Sequence, residues 1–409
     1  MYKLWTKNFT ILTLGSFVSA LGSSAAGVAF GIMIFQKTGS PLTLALFMVA
    51  NIIPRVLTGF LAGPFVDRHS RRKIIYMLDF GSTIIFTLIA LVLFTGYFNV
   101  LIFTMVGAFL GIMDTVYQIA FMSMFPEVIE PGQHSKAYSL SSLIWPISAA
   151  VMAPVAAFMI ENFEFGIAML MLFNAFSFGI AAIMETTIHL DEKLNTSKVS
   201  GLQFVEDLKE GFRYYKVEKG ILGIGILFAA FSFVYMTHDL LRMPYFINSD
   251  TLTIQDYSFL ITAGSVGRIL GGIIHYTFKY PPNKRYLIAI FVYFSVEIMS
   301  ASMLYLPYLL MVGISFIVGL LSVTSYNIRM TATQVYIPAH MRGRVNSVQG
   351  LLWNIGAIFG AILMGGIAEY SSLDYRFIML LAAIVSVGAI ILIPVRMKHE
   401  FKKIYNADI

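Results

Sequence analysis

The chain has 409 residues and no cysteine; 58% of it is apolar or aromatic, 12% is charged, and the formal net charge is +6. A soluble globular protein carries roughly a quarter of its residues as charges. The composition therefore excludes a disordered chain, a disulfide-stapled domain and a thiolate metal site, and it leaves too few charges to cover a water-facing surface of this size. A polytopic membrane protein remains.

A bilayer core about 30 Å thick takes about 20 apolar residues of helix. Twelve such stretches follow one another, at 9–35, 42–65, 74–95, 98–123, 138–160, 165–188, 219–245, 255–278, 286–305, 308–332, 345–369 and 376–395. No run of alternating polarity, the mark of a transmembrane barrel, interrupts them. The first stretch has no small-residue cleavage site and reads as a retained helix. Most connections are short, such as Thr95-Gly96-Tyr97-Phe98-Asn99 and Leu306-Pro307-Tyr308. The long polar interval divides the chain into a six-helix bundle over 1–188, a linker over 189–218 and a second six-helix bundle over 219–409. The prediction is an all-α membrane protein.

Basic residues set the orientation. With the N-terminus inside, 22 of them, among them Arg68, Arg71, Arg72, Lys73, Lys193, Lys198, Lys279, Arg342 and Arg344, fall in cytoplasmic segments, against Lys37 and Arg376 outside. Both termini are then cytoplasmic, and the positive charge faces an anionic lipid leaflet rather than nucleic acid. Arg55, Arg242, Arg268 and Arg329 stay within or at the edge of spans.

The halves repeat. Thr115-Val116-Tyr117-Gln118-Ile119 in span four matches Thr324-Ser325-Tyr326-Asn327-Ile328 in span ten, and the stretch from Lys136 to Trp145 matches that from Arg344 to Trp353. Arg55-Val56-Leu57-Thr58-Gly59 in span two matches Arg268-Ile269-Leu270-Gly271-Gly272 in span eight. Duplicated bundles are a transporter architecture, since rocking one against the other alternates access.

The loop after span two reads Gly63-Pro64-Phe65-Val66-Asp67-Arg68-His69-Ser70-Arg71-Arg72-Lys73. It resembles the G-x-x-x-D-R-x-G-R-[RK] signature of the major facilitator superfamily, with Ser70 where the family usually has Gly. Asp67 is placed to cap or face a helix N-terminus there. The run from Pro338 to Val345 resembles the Arg-Gly-Arg turn between spans ten and eleven of that superfamily. The segment from Phe204 to Gly211 resembles the linker of its macrolide-efflux and enterobactin-exporter branch, with an apolar stripe of Val205, Leu208, Phe212 and Tyr215 at helical spacing along the inner face. Two departures stand out. Ala153-Pro154-Val155-Ala156-Ala157 occupies the place of an antiporter G-P-x-x-G-G pattern, and Ala108 the place of an arginine common in proton-coupled exporters.

The resemblance implies the major facilitator fold, two pseudo-symmetric six-helix bundles in which spans one, four, seven and ten line a cavity. An ionised side chain at mid-bilayer costs about 2.5–3.5 kcal/mol, so charges in spans should face that cavity or a partner. Asp114 in span four is the first candidate for proton coupling, followed by the His238, Asp239 and Arg242 cluster of span seven and Glu297 of span nine. Asp239 and Arg242, three apart, can neutralise each other. Arg55, Arg268 and Arg329, with Tyr117, Tyr235 and Tyr326, are the substrate-cavity candidates, and Phe30, Phe35 and Phe231 join them as apolar lining. Gly63, Asp67, Arg68, Arg71 and Arg72 form the conformational motif. No catalytic constellation, P-loop or metal-ligand pattern is present, so neither an enzyme nor a resident cofactor is expected.

The resemblance favours a monomeric secondary transporter of the bacterial cytoplasmic membrane that exports hydrophobic or amphipathic small molecules, drugs among them, by proton antiport. The alternatives are a dedicated exporter of a metabolite such as a siderophore, for which the arginines would serve an anionic cargo, and a lipid or lysophospholipid flippase. A sensor or scaffold would need an output domain that the tail from Arg396 does not supply.

Overall fold

Every predicted span is a helix in the computed structural model, which describes residues 3–190, 192, 201–277 and 280–407. In chain order the helices are α1 (Lys7–Thr38), α2 (Pro41–Arg68), α3 (Arg71–Phe94), α4 (Val100–Met124), α5 (His134–Asn162), α6 (Gly166–Glu185), α7 (Gly201–Val217), α8 (Lys219–Ile247), α9 (Ile254–Thr277), α10 (Arg285–Ser302), α11 (Tyr308–Tyr336), α12 (Arg342–Tyr370), α13 (Tyr375–Ile390) and α14 (Lys398–Tyr405). All but α7 and α14 belong to the twelve segments long and apolar enough to cross a membrane, and no strand occurs among the described residues. The protein is a multi-pass, all-α membrane protein. Lys193, Lys198 and Lys279 of the basic count lie outside the described residues, as does the side chain of Val205.

Side-chain oxygens start several helices by taking the first free N–H groups. Thr6 accepts from Phe9 N at 3.2 Å, and Asn99 accepts from Leu101 N and Ile102 N at 3.0 and 3.1 Å. Asp374 accepts from Arg376 N at 2.8 Å ahead of α13. The Arg376 guanidinium also donates to Asp374, and this holds the Asp374 carboxyl below its usual range.

The helices gather into two units. The first holds Met1–Gly39 and Ala50–Val199, the second Ser40–Val49 and Ser200–Ile409. In the first, α6 packs along α3 and α1, and α1 also lies on α5. In the second, α9 packs along α11 and α12 along α8, with α10 and α13 joined to these pairs. The opening turns of α2 pack with α12: Ser40 Oγ donates to Glu369 Oε2 at 2.7 Å.

The linker helix α7 docks on the start of α12. Arg344 donates to Asp207 Oδ1 at 2.7 Å and meets Glu210 Oε2 at 2.5 Å. Gly211 lets the two backbones close up, since a Cβ there would lie 2.7 Å from Arg344 O. Leu208 and Tyr215 pack into the second unit's core, whereas Phe212 is 43% exposed. The docked face is therefore Leu208, Gly211 and Tyr215, and Phe212 drops out of the predicted stripe. Its place on the stripe is taken by the residue small enough to touch α12. Arg344→Ala should release α7 without unfolding the bundle. Trypsin is expected to cut at Lys209, Arg213 and Lys216 severalfold faster, and an unchanged cutting rate would contradict the docking.

Candidate functional site

Asp114 and Arg55, expected separately, come together. Arg55 Nη2 on α2 donates to Asp114 Oδ2 on α4 at 2.6 Å, and Gln118 Nε2 stands 3.4 Å from Asp114 Oδ1. The approach depends on Gly111, one turn earlier on α4, where a Cβ would fall 2.7 Å from Asn51 O. Asn51 Nδ2 donates to Gly107 O at 2.8 Å and fixes the register of the crossing. The side chains of Arg55 and Asp114 are 46% and 39% exposed, so the pair is open to its surroundings rather than sealed. The repeat does not reproduce it. Val323 stands where the alignment would put a second acid, and Arg268 instead donates to Ser265 Oγ at 3.0 Å.

The signature-like loop after α2 is held by acids that the motif does not contain. Asp67 lies in the last turn of α2, so it does not cap α3, and Gly63 sits one turn before it. Ser70 is the cap, and Glu192 covers the same helix start. Ser70 Oγ donates to Glu192 Oε1 at 2.9 Å, Arg71 N to Oε2 at 2.6 Å and Arg72 N to Oε1 at 3.1 Å. A carboxylate at a helix N-terminus meets free N–H groups and the positive end of the dipole. The Arg71 guanidinium pairs with Glu127, and that of Arg72 donates to Ile188 O at the end of α6. Arg68 is exposed at the end of α2. Three helix ends of the first unit are thus tied through this loop.

A buried acid pair was not foreseen. Asp79 on α3 and Glu185, the last residue of α6, are 1% and 0% exposed. They interact with each other, with Tyr117 of α4 beside Glu185 and Ser16 of α1 beside Tyr117. Asp79 Oδ2, both Glu185 carboxyl oxygens, the Tyr117 hydroxyl and Ser16 Oγ are shielded, and none has a well-formed hydrogen bond among the described residues. Tyr117 therefore points into the interior of the first unit, not into an open cavity. Two acids sealed together at such a place cannot both ionise without repelling, and among the described residues no basic side chain pairs with either. Glu185→Gln should remove that repulsion and supply a donor to Asp79. The expected result is a Tm higher by about 1–3 °C in a thermal melt, and a lowered Tm would refute the account.

In the second unit the span-seven cluster splits. Tyr235 and Asp239, one turn apart, occupy the open face of α8, while His238 lies buried beside Met379 of α13. Neighbours in sequence sit about 100° apart on a helix, so His238 and Asp239 serve different faces. Among the described residues Asp239 and Arg242 do not reach salt-bridge distance, but each is an electrostatic neighbour of the other, as expected of residues three apart. Both are electrostatic neighbours of Tyr235 and Arg268. Glu297 of α10 is packed against α13, where it accepts from Ser386 Oγ at 2.6 Å. Arg329 of α11 lies over the Phe228 ring at 3.9 Å and near the exposed Tyr326 ring at 5.6 Å. The three phenylalanines expected to line a pocket are core residues. Phe30 is buried against Phe86, Phe35 is buried on α1, and Phe231 packs on Phe228 and Tyr293. Among the described residues no cluster of His, Asp or Glu could hold a metal.

Twelve spanning helices in two six-helix units, with ionisable pairs set inside them, define a transporter rather than an enzyme fold. The family model described as Major Facilitator Superfamily matches residues 12–360, and the chain belongs to that family. It is 24% identical to Macrolide efflux protein A of Streptococcus pyogenes over 388 residues, 92% of this chain and 93% of that protein. It is 23% identical to Multidrug efflux pump Tap of Mycolicibacterium fortuitum over 405 residues, 96% and 95% of the two chains. Among solved structures, the nucleoside transporter NupG superposes with a TM-score of 0.70 at 15% identity, over 96% of this chain and 100% of that one. A bacterial homologue of the iron transporter ferroportin, in an inward-facing state, gives 0.70 at 14% identity and 98% of each chain. These two likenesses carry the fold alone.

Proposed function

We propose that the protein is a monomeric secondary transporter of the bacterial cytoplasmic membrane, termini inside, that exports hydrophobic or amphipathic small molecules in exchange for protons by alternating access. Membership of the superfamily and the efflux names of the two relatives support the direction and the cargo class, macrolides included. The observation that carries the coupling is the Arg55–Asp114 pair, an acid and a cation inside two spans, neither of them sealed within the packed helices. Protonation of Asp114 from outside releases Arg55, and loss of the proton inside restores the pair. Glu297 and His238, packed against α13, are left as structural groups in this scheme, while Asp239 and Arg268 adjust the charge of the open face of α8.

The test is a panel of dyes and macrolides in proteoliposomes, with and without an imposed pH gradient. Gradient-dependent movement of several unrelated apolar compounds is the expected result. Movement of one compound alone would favour the dedicated metabolite exporter, and translocation that depends on lipid headgroup would favour the flippase.

A further inference from the structure

Arg329 is a cation with a cavity beside it and, among the described residues, no counter-charge in contact. A cavity of about 290 Å³ lies in the second unit, walled by Tyr215 of α7, Ile224 of α8, Tyr326 and Arg329 of α11, and Gln349 and Trp353 of α12. Most of this wall is aromatic or aliphatic. Among the described residues the Arg329 guanidinium has no ion pair and no hydrogen bond, and its Nε is shielded without an acceptor. The ionisable groups that face it are phenols, those of Tyr215, Tyr293 and Tyr405. Gln349 uses its Oε1 to accept from the Tyr215 hydroxyl at 3.1 Å, and its Nε2 has no acceptor. Burial pushes the Tyr215 phenol above its usual range, so it keeps the proton it donates.

The partly buried guanidinium rests on the Phe228 ring but has no hydrogen-bond acceptor among the described residues, and its planar fork matches a carboxylate in two parallel hydrogen bonds. The rings of Tyr326 and Trp353 offer flat apolar faces beside it. We propose that this cavity binds an amphipathic organic anion, with its carboxylate on Arg329 and its flat apolar body against Tyr326 and Trp353. This names a cargo class for the exporter proposed above and rests on that reading. Because Tyr215 belongs to the linker helix, an occupied cavity also ties α7 to α11 and α12.

Calorimetry on the full-length chain with 2-naphthoate and its uncharged counterpart 2-naphthamide tests the site. Naphthoate should bind at least about tenfold more tightly than the amide, and Arg329→Gln should erase that preference. Arg329→Lys keeps the charge without the fork and should recover only part of it. If Arg329→Gln does not fold, as judged by gel filtration and thermal melting, Gln349→Leu decides, with an expected loss of about threefold for naphthoate. Equal binding of the two probes, or naphthoate affinity unchanged in both variants, overturns the site. Naphthoate that binds but is not moved by proteoliposomes overturns its assignment as cargo. Dye export that fails while naphthoate still binds overturns the proton-antiport reading and leaves the site standing.

Discussion

Asp114→Asn should collapse gradient-driven export to the level seen without a gradient. One pH unit across the membrane supplies about 1.4 kcal/mol per proton, enough for a tenfold concentration ratio of a neutral cargo exchanged one for one. Everted vesicles carrying the wild-type chain should therefore accumulate a dye up to about tenfold under that gradient, while the Asn variant approaches a ratio of one. The amide keeps the shape and can still accept from Arg55 Nη2, now 2.6 Å from Asp114 Oδ2, so the fold should survive. What is lost is the charge whose appearance and disappearance switches the pair. Downhill movement of cargo should persist, which separates uncoupling from simple inactivation. Arg55→Gln gives the complementary result, since Asp114 then has nothing to release on protonation. Undiminished accumulation by Asp114→Asn at normal expression would remove Asp114 from the coupling and return the search to the other acids.

That pairing was half legible in the sequence. Arg55 and Asp114 each stand out as charges within an apolar stretch, 59 positions apart, and nothing local joins them. Depth arithmetic could have done so. Arg55 lies 13 residues before the end of α2 at Arg68 and Asp114 lies 10 before the end of α4 at Met124, so on helices rising 1.5 Å per residue both sit at similar depth. The spans themselves were legible because a bilayer demands length and apolarity, which composition reports directly.

Asp79 and Glu185 escaped for the opposite reason. Both lie near span ends, where an acid reads as an interfacial residue, and only the packing of α6 on α3 shows them sealed from water. The Glu192 cap of α3 was hidden for want of any motif, since a carboxylate 120 residues away leaves no periodic trace. His238 and Asp239 form one cluster in the sequence, but a helix turns adjacent residues to different faces, and only the packing on α13 shows which side His238 serves. Phe30, Phe35 and Phe231 show the remaining limit. Core, lipid-facing and cavity-lining positions draw on the same aromatic residues, so composition does not sort them, and contacts within each unit do.

Alanine at Gly356 or Gly360 should be strongly disruptive in the second unit. A Cβ at Gly356 would stand 2.1 Å from Ala229 O, and one at Gly360 2.2 Å from Phe233 O. Both obstacles are backbone atoms of α8, which no rotamer change can move aside. Lipid surrounds these helices with tails as apolar as their own side chains, so their association depends on close packing. The same approach places Ser232 Oγ 2.7 Å from Trp353 O, a bond that separation of the helices would break. Overpacking of this kind costs about 1–3 kcal/mol or more, and the expected fall in Tm is several degrees for each alanine. Gly366→Ala on the same helix is the control, because nothing lies within 4 Å of the added atom. It should melt with the wild type. Should Gly360→Ala melt with it too, α8 and α12 would have to be further apart than this geometry allows. The effect should reach function as well, since α8 carries Tyr235 and Asp239 while α12 carries Gln349 and Trp353. A shift between these helices would alter the wall around Arg329, and naphthoate binding should weaken in Gly360→Ala even where the chain still folds.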